Sequence, residues 1–266
     1  MKKAISDMEF TISISTNLLH YFEGKQRKTI EQFCSCAIDK INQATISLKE
    51  LFSNANQKNR LEYGCAIILR SILSDALLII NACLISANEE AQTPGDKKLE
   101  EFCSIALSDS IEHLIKNVGE IKALEKKEIA YNSIAQKYPQ YLKPHKNDGS
   151  KPEMKTNKKH RNRELVNNRE LVNNIKSDKI FEKYKDIYEA YLYYSKYEHF
   201  GIIYHDFQEW GYEKQIDKIK KTIKKLLPKI LSFVVAILFF EEKEEKYFEY
   251  CLNDLSKYME HSQMEG

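Results

Sequence analysis

The residues best equipped for chemistry lie in two mostly apolar stretches, where charged groups are out of place. Cys65 to Ile85 carries Arg70 and Asp75, and Tyr188 to Phe207 carries Glu198, His199, His205 and Asp206. Desolvating an ionised group costs several kcal/mol, on the order of what one good ion pair returns, so such residues are kept inside only with partners. At helical spacing Arg70, Ser74 and Asn81 share one face, whereas Asp75 shares another with Ser71. In the second stretch Ser195, His199 and Asp206 fall on one stripe, with Glu198 and His205 on the next. Antiparallel packing of the two would bring Arg70 to Glu198 or Asp206, and His199 to Asp75. That polar centre has two readings. It is a network of ion pairs fixing helix register, or it is a site with His199 as general acid or base, Arg70 holding a phosphate, and Glu198 and Asp75 as supporting carboxylates. Ser74, Asn81, Ser195, His205 and Asp206 then serve as ligand-binding groups.

Other chemistries fit less well. Glu198, His199, His205 and Asp206 could ligate a metal, but no Glu-x-x-His or His-x-x-x-His pair puts two ligands on one turn, so no metal is expected. The Ser195, His199 and Asp206 set lacks a nearby glycine-rich turn for an oxyanion hole. No two glycines stand close together, which removes phosphate-loop and dinucleotide fingerprints, and no cofactor is expected. The six cysteines occur mostly at apolar helical positions without Cys-x-x-Cys spacing, as suits buried reduced thiols.

The elements that must position these groups are helical. Ile30, Phe33, Ala37, Ile41, Ala44, Leu48 and Leu51 recur at threes and fours and predict a helix over 29–57. A helix over about 60–88 is apolar nearly all round, as befits one surrounded by others. Further helices are predicted over about 97–117, 120–137, 178–207, from Tyr212 to Pro228, which ends or kinks it or serves as the first turn of its successor, and over 229–260. Near the start Phe10, Ile12 and Ile14 alternate as in a strand. A helix capped by Ser6 or Asp7 is preferred there, since no second strand exists to pair with it. The sum is an all-α multi-helix bundle of seven or eight helices around a central apolar helix, one domain over 1–266.

Residues 139–161 hold three of the five prolines and predict a flexible basic insertion. The tandem copies Asn162–Asn167 and Asn168–Asn173 after it read as tolerated length, because six residues do not match a helical period. Lys143 to Arg163 and the cluster Lys218, Lys220, Lys221, Lys224, Lys225 and Lys229 are two basic surfaces through which RNA contact is possible. Otherwise the partner is an unidentified protein or small ligand. With 42% apolar residues and a net charge of only +2, the chain builds a core and has no overall pull on nucleic acid or anionic membrane. No secretory leader precedes Asp7 and Glu9, and Arg70 and Asp75 would each cost roughly 2.5–3.5 kcal/mol at a bilayer centre, so a cytoplasmic location with no membrane span is expected.

Leu69-Arg-Ser-Ile-Leu-Ser-Asp75 and Tyr194-Ser-Lys-Tyr-Glu-His199 resemble two motifs of a group of bacterial helical domains of unknown function. In those domains an Arg-Ser-apolar-apolar-Glu helix precedes a Ser-x-x-x-His helix. Arg70, Ser71, Ser195 and His199 match. Position 74 is Ser, and the carboxylate stands instead at Asp75, about 100° further round the helix. That group is similar in build to the higher eukaryote and prokaryote nucleotide-binding domains, many of them ribonucleases of toxin or phage-defence systems. Their Arg and His lie on one helix, an arrangement this chain lacks. The resemblance implies a helical fold and, as expectations, either a non-catalytic binding module with the Arg/His/carboxylate centre or an enzyme acting on RNA or a nucleotide.

Overall fold

The computed structural model describes residues 2–89, 98–146, 148–155, 184–195, 211–242 and 245–264, with Leu171, Asn173 and Ile175. Among them eight helices form: α1 Lys2–Tyr21, α2 Thr29–Asn54, α3 Glu62–Glu89, α4 Lys98–Gly119, α5 Leu124–Lys137, α6 Lys185–Ser195, α7 Tyr212–Glu241 and α8 Lys246–Met264. The all-α bundle is what the periodicity predicts. Where one domain is predicted, the chain packs as two compact units, 1–99 with 168–266, and 100–167.

The larger unit is built on α7, which packs against α1, α2, α3, α6 and α8, while α3 also lies against α2 and α6. α7 earns its central place by an unbroken buried stripe: Ile216, Ile219, Ile223, Leu226, Leu227, Ile230, Leu231, Val234, Val235 and Leu238. Burying each such side chain stabilises by roughly 1.5–3 kcal/mol, against about 3 kcal/mol for a proline inside a helix. Packing on both sides of Pro228 therefore outweighs it, and the break expected there is absent: one helix runs from Tyr212 to Glu241. The expected helix over 229–260 ends instead at Glu241, and α8 begins at Lys246. Gly211, with φ of +66°, supplies the left-handed residue from which α7 starts.

α3 is long and apolar enough to cross a membrane by composition, but 61% of that window is buried within the protein, as a central helix requires. α2 sets its entry with the Lys28 amide donating to the Glu31 carboxylate at 2.8 Å and buries Phe33, Cys34, Ile38, Ile41, Leu48 and Phe52. At the start of the chain, α1 begins at Lys2, a turn before the expected cap, and Asp7 is fully buried. There Tyr258 of α8 donates its hydroxyl to Asp7 Oδ1 at 2.6 Å, and its ring stacks on Phe10 at 3.8 Å.

The smaller unit has its own core, in which Ile111, Ile115, Val118, Tyr131 and Ile134 meet Tyr141, Leu142 and Met154. The last three belong to the segment expected to be mobile. Over its described part it is pinned: Leu142 and Met154 form an antiparallel bridge, with Lys143 N donating to Glu153 O at 2.8 Å and Lys155 N to Tyr141 O at 2.9 Å. The turn between them uses Gly149 at φ of +74° and Asp148, whose carboxylate accepts from the Ser150 amide at 3.0 Å. Three apolar residues among many lysines suffice when each enters a core. Residues 156–163 and nearly all of the tandem repeat lie outside the described residues.

Candidate anion-binding groove

The predicted polar centre is placed only in part, because Glu198, His199, His205 and Asp206 lie outside the described residues. Arg70 and Ser74 are half-buried on α3. Asn81 is buried, and its amide donates to the carbonyls of Leu77 at 2.8 Å and Leu171 at 3.1 Å, tying Leu171 to α3. Asp75 faces α2 and pairs with Lys40 at 2.8 Å, a partner the helical spacing within α3 cannot reveal. Burial pushes its carboxyl above the usual range, and the Lys40 ammonium opposes that shift. Ser195, in the last turn of α6, donates to the Leu192 carbonyl at 2.8 Å. Beside these, Tyr194 is fully buried and donates to Thr222 of α7 at 3.0 Å, and burial raises its phenol well above the usual range. The Cys65 thiol is pushed up to about 12 by burial and by the nearby Glu62 carboxylate. Neutral and enclosed, Tyr194 and Cys65 are packing groups.

The lysine cluster of α7 forms a second constellation. Lys221, Lys225 and Lys229 repeat every four residues, about 6 Å apart along the axis, with Lys224 beside them. They border an open cavity of about 850 Å³ in the larger unit, whose described far wall includes Ser256, Tyr258, Met259 and Glu260 of α8. Its floor is apolar where α7 continues into Phe233, packed edge-on against Tyr184 at 5.3 Å. Asp186, in the first turn of α6, stands at one end. Lys229 Nζ reaches its two carboxylate oxygens at 2.8 and 3.0 Å, and Lys225 lies 3.5 Å away. Lys221 pairs one turn back with Asp217 at 2.8 Å on the exposed face. Lys218 stands outside the cavity with its ammonium 4.9 Å from the Tyr193 ring centroid.

The cluster has no acid within it along the chain, yet in space Asp186 divides it. The Lys225 and Lys229 end is largely neutralised by Asp186, and Lys224 with Lys221, which shares its charge with Asp217 outside the cavity, forms the more cationic end. Among the described lining residues, four lysines face two carboxylates, Asp186 and Glu260, leaving a net +2. Ammonium groups on flexible stems are suited to phosphate as point charges. The spacing of the lysines was legible in the sequence, but Asp186 and the α8 wall were not, since nothing local ties them to α7. No family model, curated protein or solved structure matches the chain.

Proposed function

We propose that this protein is a non-catalytic binding module of the cytoplasm that captures an anionic ligand or partner in the groove between α6, α7 and α8. The observation that carries the reading is the convergence of four lysines on one cavity, against two carboxylates among its described lining residues, in a protein with an overall charge of only +2. Its size lies within the roughly 300–1,000 Å³ of small-molecule sites. The direct test is calorimetric titration of the full chain with inorganic tripolyphosphate at low and moderate salt. Binding is expected to weaken with salt and to be lost in a Lys221→Glu, Lys224→Glu double variant that keeps its helical circular dichroism. Undiminished binding by that variant refutes the groove.

The alternative, an RNA- or nucleotide-directed enzyme like some of the nucleotide-binding domains it resembles, rests on Arg70 and His199. RNA degradation by the purified chain that disappears in His199→Ala would replace the binding reading. No degradation, or degradation equal in the two proteins, removes the enzyme reading.

A further inference from the structure

The groove is two-sided in chemistry, and that narrows its ligand. Resting on the proposal that it binds anions, we infer that its occupant is a single-chain amphiphile bearing one phosphate monoester, with the headgroup at Lys221 and Lys224 and the apolar body along Phe233 and Met259. Three observations support this. A phosphate monoester carries about −1.5 to −2 charge near neutrality, which the net +2 of the described lining, reduced by the pairing of Lys221 with Asp217, can hold, whereas a chain of phosphates would exceed it by far. Among the described lining residues the positive charge is all on α7, and Glu260 on α8 together with Asp186 on α6 repels an anion that runs across or along the whole groove. Past the lysines the surface turns apolar, with Phe233 and Met259 half-buried beside Tyr258. Tyr258 is held by its stacking on Phe10 and its bond to Asp7, so it forms a fixed wall. Met259, unbranched and polarizable, can follow the shape of a flexible alkyl body.

Titrating the full chain with decyl phosphate below its micelle concentration tests the idea, with adenosine monophosphate, inorganic tripolyphosphate and a uridine octanucleotide as comparisons. Decyl phosphate is expected to bind tightest. Met259→Ser is expected to weaken decyl phosphate about tenfold and leave tripolyphosphate unchanged, while Lys224→Gln weakens both about tenfold. Asp186→Asn, which frees Lys225 and Lys229 from a competing carboxylate, is expected to strengthen binding of both anions several-fold. Tighter binding of the mononucleotide or the oligonucleotide, or indifference of decyl phosphate to Met259→Ser, overturns the amphiphile but leaves the anion groove standing. Binding of none of the four overturns both.

Discussion

Asp75 and Lys40 show how a charge survives on a core helix. The carboxylate belongs to α3, with its side chain 27% exposed, and Lys40 reaches it from α2. Its pKa is raised in the folded protein, burial outweighing the lysine. The native state thus favours the protonated acid. This group costs stability as pH rises from its ordinary value through its raised one, and the cost stays constant above that. Lys40 limits the cost only where Asp75 is ionised. Lys40→Ala is expected to lose about 1 kcal/mol at pH 7 and almost nothing at pH 3, where the acid is uncharged. Urea unfolding at the two pH values measures this, and an equal loss at both would assign Lys40 a packing role. The sequence marks Asp75 as needing a partner, but the partner lies 35 residues away on a different helix, beyond the reach of helical spacing. The same blindness applies to Asp7, read as a cap and found buried against Tyr258 across 251 residues.

Helices are legible wherever the apolar stripe is continuous; where local signals run against it, α1 still reads as a helix but with its start misplaced, and α7 as one cut short at its proline. In α1 the buried positions include Asp7, Thr11 and Ser15, so polarity hides the helical period and leaves an apparent alternation at Phe10, Ile12 and Ile14. The two hydroxyls solve their own burial: Thr11 bonds the Asp7 carbonyl at 2.9 Å, and Ser15 the Thr11 carbonyl at 2.8 Å, close to Asn42 of α2. Pro228 is the converse case, a local signal to stop inside a stripe that continues. Proline removes one backbone donor and crowds the preceding turn, and at a buried site alanine also loses some packing. Pro228→Ala is therefore expected to raise stability by about 1 kcal/mol, what remains of roughly 3 kcal/mol of helix penalty after about 2 kcal/mol of lost burial. Thermal unfolding measures it. No gain, or a loss, would show that α7 depends on the proline ring more than on its missing hydrogen bond.

At the scale of the whole chain, two cores imply two levels of stability. The larger unit buries the long stripes of α3 and α7, whereas the smaller rests on a few residues from α4, α5 and the 141–155 segment. Small cores recover little beyond their ordering entropy, so each side chain carries a larger share of stability. Met154 closes the smaller core from a segment otherwise rich in lysine, and it is held there by the two backbone hydrogen bonds of one antiparallel bridge. Met154→Ala is expected to cost about 2–3 kcal/mol by the cavity it leaves. Because stability is local, that loss should appear as faster amide exchange in α4, α5 and 141–155, with α3 and α7 keeping their protection. Trypsin should also cut the variant sooner after Lys146, the lysine of this segment's centre that no proline follows. A uniform fall in protection across both units would instead mean that the chain unfolds as one cooperative body, and the single domain read from the sequence would then describe its energetics better than its contacts do.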